Sequence, residues 1–322
     1  MIALLSLAWA DCEAKWASPR AEYLLSAFED LAHMPEMWPA YQADEASHVL
    51  DAGDGCVALW KNQKVTKTQL PNPPRLLTPM FGYALPWTAT EGAFGALLEA
   101  TAQPDALTAW LVSLGVDRAV VTPIQVAPPL GDFIDEIAAL QIAMHEAFHV
   151  DVMLPRWAGE ETSWPAWEEQ PDRAALKSCY PDAEAVQFEQ QALADAVEQA
   201  YLEGDIGCDR LNYFRILRAK RYDKVKNIKI VSPDGVLTCP EAELRMELEE
   251  GVPDCVSWFG LLAMEKVEWE RVDRRNRSRM DEPFYAFGAM QAALAGPMEK
   301  SLLVNSDAPT GLGDVIAGLC AG

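Results

Sequence analysis

Apolar residues recur along this chain with a helical period over most of its second half. Phe133, Ile137, Leu140, Met144 and Phe148 follow one another at steps of three to four. That spacing predicts one amphipathic helix over residues 132–154, with Asp132 as its N-cap and Pro155 as its stop. The same reading predicts helices over 184–202, 211–226, 240–267 (interrupted near Pro253), 284–294 and 312–319, the 211–226 helix being basic on its outer face. Earlier in the chain, Leu24, Leu25, Phe28 and Leu31 predict a helix over 21–32, and residues 93–114 predict two more, split near Pro104. Strands are fewer. Residues 57–60 and 64–68 read as short strands around a polar turn, and the β-branched run at 118–122 is the best strand candidate. The prolines at 71, 73, 74 and 79 break any regular element between them. The expected class is therefore α+β: a mixed part over 11–130 and a helical part over 131–322.

Composition narrows the possible partners. Of 322 residues, 50% are hydrophobic and 11 are Trp, so the chain can bury a core. It carries 26 Lys+Arg against 49 Asp+Glu, a formal net charge of -23. Nucleic-acid phosphates and anionic membrane surfaces require the opposite sign, and no stretch is long and apolar enough for stable membrane insertion. The apolar run from Ile2 to Ala10 ends in Ala8-Trp9-Ala10, a small-x-small pattern before Asp11. It reads as a possible signal segment over 1–10, implying a secreted or periplasmic protein; a buried first helix of a cytoplasmic protein is the other reading. The seven cysteines include no CxxC pair, which excludes a zinc ribbon or a thioredoxin motif. Their number is odd, so at least one thiol stays free in a monomer. In an exported chain others would be bridged, in a pairing that spacing does not reveal.

The chemistry concentrates in His145-Glu146-Ala147-Phe148-His149, an HExxH pattern. Imidazoles at i and i+4 share one helix face and can grip a single zinc ion. The intervening Glu146 then serves as general base toward a water on the metal. His33 and His48 sit in irregular sequence and read as ordinary surface residues. No His follows His149, so the third ligand must be a carboxylate, and two candidates stand out. Glu250 precedes Gly251, which leaves room for close approach to the metal-bearing helix. Asp254, one turn on, would accept the outer N–H of a ligand imidazole. Glu189 falls on the apolar stripe of Val186, Leu193 and Val197, so it needs a buried partner: the metal, or Arg215 or Arg218. Glu250 is preferred because only it carries the supporting Asp. Tyr285 is the candidate donor to an oxyanion. Trp157, Trp164 and Trp167 are candidates for a wall of a substrate groove. The basic run from Arg271 to Arg279 reads as a solvated loop or an internal ion-pair partner.

His145 to His149, taken with Glu250-Gly251-x-x-Asp254, resembles the gluzincin metallopeptidases, in which an HExxH helix is followed by a Glu-Gly helix. A looser likeness runs over 132–319 toward uncharacterised bacterial HExxH proteins. It rests on helices like 186–197 and 214–221 and a segment like Phe284-Tyr285-Ala286-Phe287-Gly288-Ala289. Three features depart from the gluzincin pattern: a hundred-residue gap between His149 and Glu250, Pro253 after the Glu-Gly pair, and Cys255 where an aromatic is common. The resemblance implies a zincin-like fold, with the active helix under the edge of a small sheet that includes 118–122. It also implies zinc on His145, His149 and Glu250, with Glu146 as base. The expected function is zinc-dependent hydrolysis of a peptide or protein substrate. The alternatives are a secreted, non-catalytic zincin-like binding protein and a zinc hydrolase of small amides.

Overall fold

The computed structural model describes residues 12–39, 41–70, 83–84, 106–116, 119–124, 135–153, 173–232, 235–295 and 312–320. The Ile2–Ala10 run, the Pro71–Pro79 cluster and Trp157, Trp164 and Trp167 lie outside them. The architecture is α+β, as the periodicities predict. The chain divides into two compact units, one of Met1–Pro35 and Tyr41–Thr162, the other of Glu36–Ala40 and Ser163–Gly322.

The first unit is built on a mixed sheet. Helix α1 (Pro19–Asp30) starts on Ser18, whose side chain accepts from the Ala21 N–H. Strands β1 (His48–Asp51), β2 (Cys56–Lys61), β3 (Lys64–Gln69) and β4 (Tyr83–Ala84) follow. Helix α2 (Ala106–Ser113), β5 (Val120–Pro123) and α3 (Glu136–Phe148) complete it. The strand order is β3-β2-β1-β5-β4, with β1 and β5 parallel and the other pairs antiparallel. Asn62 and Gln63 turn between β2 and β3 with φ near 49° and 60°, the left-handed pair that a two-residue hairpin needs.

Side chains alternate across the sheet, and each face has its own cover. Val49, Val57, Leu59 and Val121 pack with Leu107 and Leu111 of α2. On the other face Val120 meets Ala46, Ala147 and Val150, which seats α3 against β5. His48 lies on that second face. It is 1% exposed and stacks on Phe28 of α1 with ring centroids 4.5 Å apart. Burial pushes its imidazole down to about 4, so the ring is neutral. The surface reading of His48 is thereby corrected: β1 has no alternating signature because both of its faces are covered. His33 is exposed, as expected.

In α3 the N-cap is Asp135 rather than Asp132; its carboxylate accepts from the Ala138 N–H at 2.8 Å. Because α3 packs on β5, the HExxH helix belongs to the sheet-bearing unit. The chain divides near residue 162, later than the boundary expected near 130.

In the second unit a short turn, α4 (Arg173–Leu176), leads to α5 (Ala183–Glu203). Asp182 caps the start of α5, and Gly204, at φ 71°, ends it. Helix α6 (Cys208–Val225) and a hairpin of β6 (Lys229–Ser232) and β7 (Gly235–Thr238) come next. Helix α7 (Cys239–Met246) opens on a capping box between Thr238 and Glu241. A π-turn (Glu247–Gly251), α8 (Val252–Ala263), α9 (Trp269–Ser278), α10 (Pro283–Leu294) and α11 (Leu312–Ala317) follow.

Two backbone details shape this unit. The interruption predicted at Pro253 falls just before it, in the π-turn. Pro253 therefore sits in the first turn of α8, where its missing N–H costs nothing. Gly251 also has a role other than the one expected. A Cβ at Gly251 would stand 2.4 Å from the Gly288 Cα, and one at Gly288 would stand 2.2 Å from the Glu247 carbonyl oxygen. The two glycines let the π-turn and α10 cross at backbone contact, so Gly251 makes room for α10, not for the HExxH helix.

The inner face of α6 is charged. Arg218 and Arg221 are buried, together with Glu189 of α5, Glu243 of α7 and Glu247 of the π-turn. Arg221 Nη1 and Nη2 donate to Glu243 at 2.6 and 2.7 Å, and its Nε donates to Glu189 Oε2 at 2.7 Å. Arg218 Nε donates to Glu189 Oε1 at 2.9 Å, while its Nη1 and Nη2 donate to Glu247 at 3.1 and 2.5 Å. Burial pushes the Glu247 carboxyl up to about 7; Arg218 pulls it back and the Glu243 charge raises it. Glu243 is held below its ordinary value, since Arg221 and Arg218 outweigh its burial.

Three cross-links close loops inside the units: Cys12–Cys56 in the first, Cys179–Cys239 and Cys208–Cys320 in the second. Cys255 is the free, buried thiol.

Gly251→Ala and Gly288→Ala will each lower unfolding free energy by about 1–3 kcal/mol or more in urea titrations, because backbone rather than a flexible side chain blocks the added methyl. Glu247 generates a pH signature. Its folded-state value lies above the unfolded carboxylate value, so its stabilising contribution is full below about 4.5 and is lost as pH rises through about 7. Urea midpoints at pH 5 and pH 8 will differ more for the parent protein than for Glu247→Gln; equal differences would contradict the assignment.

Candidate metal centre

Helix α3 brings His145 and His149 onto one face at its C-terminal end. The helix is α-helical through Phe148 and widens into a π-turn over His149–Met153. The His149 N–H donates to the carbonyls of Glu146 and His145, which closes the last regular turn. Tyr41 packs edge-on against Phe148, with centroids 5.1 Å apart, and Ala147 and Val150 face the sheet. These contacts leave the two imidazoles on the flank turned from the strands. Both rings are buried, and their Nε2 atoms lie 3.0 Å apart. Glu146 is half-buried beside them in sequence.

Glu250 is 3% exposed, in the π-turn before α8. Arg173 donates to its Oε1 through Nη2 and to the Tyr285 hydroxyl through Nη1 at 2.9 Å. Tyr285, at the start of α10, is hydrogen-bonded to Glu250 as well. Burial and the Glu250 charge hold its phenol well above the ordinary tyrosine value, so it stays a neutral O–H. The Arg279 guanidinium lies 3.7 Å from the Tyr285 ring centroid. Asp254 is buried; Arg275 donates to its Oδ2, and Arg279 Nη1 lies 3.5 Å from the same oxygen.

His145, His149 and Glu250 together make a group able to hold a metal ion: each offers one ligand atom, and these atoms lie within 4.8 Å of one another. Glu189, the alternative third ligand, is instead taken by Arg218 and Arg221. Of its two suggested cationic partners, Arg218 is the one that reaches it; Arg215 points out of the unit toward Asn212.

The chain matches no protein-family model, no curated protein and no solved structure.

The donor set fits a divalent ion on its own chemistry. Two ligands of one tetrahedral zinc at about 2.0–2.1 Å stand about 3.3 Å apart, and the two Nε2 atoms are already near that separation. Two imidazoles and a carboxylate also suit a borderline cation better than a hard, all-oxygen ion such as magnesium. Arg173 is the site residue that no sequence pattern revealed, since it sits in a four-residue helix without periodicity. The basic run of α9 is likewise a set of ion-pair partners: Arg275 serves Asp254, and Arg277 serves Asp195 and Glu198 of α5 at 2.6 and 2.9 Å.

Titration of metal-stripped protein with zinc will give about one tight site per chain. His149→Ala and Glu250→Ala will each weaken it by about 100-fold or more, a loss larger than outer-shell changes produce. Glu189→Ala will leave zinc affinity within about threefold while lowering stability by about 3–5 kcal/mol, the cost of stripping a partner from buried charges.

Proposed function

We propose that this protein is a zinc-dependent metallopeptidase of zincin-like fold. The observation that carries the reading is the convergence of one ligand atom each from His145, His149 and Glu250, with an intact glutamate between the two histidines. Zinc bound there would polarise the carbonyl to be attacked and lower the pKa of a water toward neutrality. Glu146 takes the proton from the attacking water and passes it to the leaving amine. The Tyr285 O–H, kept protonated by burial beside Glu250, would turn its one proton from Glu250 to the oxygen on which charge develops. Arg173 holds both Tyr285 and Glu250 and so fixes the donor relative to the ligand. Asp254, anchored by Arg275, is the acceptor proposed for the outer N–H of a ligand imidazole.

Three disulfides support a secreted or periplasmic location, because such bridges persist in oxidising compartments. No helix among the described residues is long and apolar enough to cross a membrane. The strong negative charge supports a protein or peptide partner over nucleic acid.

Glu146→Gln will retain zinc and lose peptide hydrolysis by about 10²–10⁴-fold in kcat. Tyr285→Phe will lower kcat by about 10²-fold at little change in KM, as expected for a bond made to the transition state. Metal-free protein that still cleaves peptides at the parental rate would refute the mechanism.

A further inference from the structure

A groove of about 710 Å³ lies between α6 and α7, formed entirely within the second unit. Its volume falls in the range of small-molecule sites. Phe214, Ile216, Ala219, Pro240 and Leu244 make its walls apolar, and Arg218, Tyr222 and Glu247 line it from the charged interior. Ile216 is 52% exposed on one rim.

The charge of that interior specifies an occupant. Three carboxylates, Glu189, Glu243 and Glu247, share two guanidinium groups, Arg218 and Arg221. Fully ionised, the cluster is one cation short, and of its three acids only Glu247 also lines the groove. Glu247 Oε2 accepts from Arg218 and from the Gln291 amide at 2.8 Å, whereas Oε1 accepts from Arg218 Nη2. A carboxylate oxygen has two acceptor positions, so Oε1 has capacity for a further donor. At the rim Arg215 and Glu241 oppose each other in sign and favour neither anion nor cation.

We propose that this groove binds a small apolar molecule bearing one ammonium group, which supplies the missing positive charge to Glu247 while its apolar body covers Phe214, Ile216 and Leu244. An anionic ligand would add to the excess negative charge and is disfavoured.

The test compares three probes with a common body, 4-phenylbutylamine, 4-phenylbutanol and 4-phenylbutyrate, titrated by calorimetry into the full chain. The amine is expected to bind about tenfold or more tighter than the alcohol, and the acid no tighter than the alcohol. Glu247→Gln should bring amine and alcohol within about threefold of each other. Ala219→Phe changes an exposed wall position, so folding is preserved, and it should weaken the amine about tenfold or more by filling the groove. Binding of the acid as tight as the amine, no saturable amine binding at millimolar concentration, or amine affinity unchanged in Ala219→Phe would each overturn the proposal. Should Glu247→Gln fail to fold, the probe series and Ala219→Phe still decide it.

Discussion

Two guanidinium groups buried on the inner face of α6 are the constraint around which the second unit is organised. Arg218 and Arg221 cannot be left without anionic partners in a dry interior, since a lone buried ion costs far more than a helix can return. Glu189 of α5, Glu243 of α7 and Glu247 of the π-turn meet that requirement from three different elements. Each guanidinium also lies over aromatic faces: Arg218 is 4.6 Å from the Phe214 and Phe287 centroids, and Arg221 is 4.9 Å from that of Tyr222. Helices tied by fork-shaped, multi-donor bonds have little freedom to slide. The cluster therefore fixes the position of the π-turn that carries Glu250, three residues beyond Glu247.

Both segments that carry the candidate metal-holding residues widen at those residues. His149 opens one π-turn and Glu250 lies within another. A wider turn rotates the side chains that follow it relative to the preceding helix, and such turns recur at functional sites. In the second case the departure has identifiable causes. Pro253 lacks an N–H, and its ring would clash with a carbonyl one turn earlier in a regular helix. Gly251 is pressed against Gly288, so the chain adopts the turn in which a proline can begin a new helix and a glycine can touch a neighbouring backbone. Pro253, a departure from the pattern of a plain Glu-Gly helix, thus belongs to the geometry that presents Glu250.

The distribution of charge follows the same logic. The chain is strongly acidic overall, yet several of its arginines point inward or form bridges between helices, where they neutralise carboxylates that no solvent reaches. Arg173 beside Glu250 and Tyr285, and Arg275 beside Asp254, extend that arrangement to the candidate centre. Buried carboxylates are here the common material of both the structural cluster and the metal group.

Local pattern alone determined a good deal. The helical period of 184–202 and 284–294, the two short strands around the polar turn at 57–68 and the β-branched run before Pro123 all reappear as elements, as their local patterns require. The HExxH spacing placed two imidazoles on one face for the same reason. Other features depended on distant parts of the chain. His48 reads as a surface residue until both faces of β1 are covered, and the α9 arginines read equally as a solvated loop or as internal ion-pair partners until α5 and α8 supply their anions. Glu189 and Glu250 are both candidate third ligands in sequence, with Glu250 preferred for Asp254 one turn on. Only tertiary packing gave Glu189 to Arg218 and Arg221 and Glu250 to Arg173, because the partner of a buried charge is chosen by proximity in space, which no local periodicity encodes.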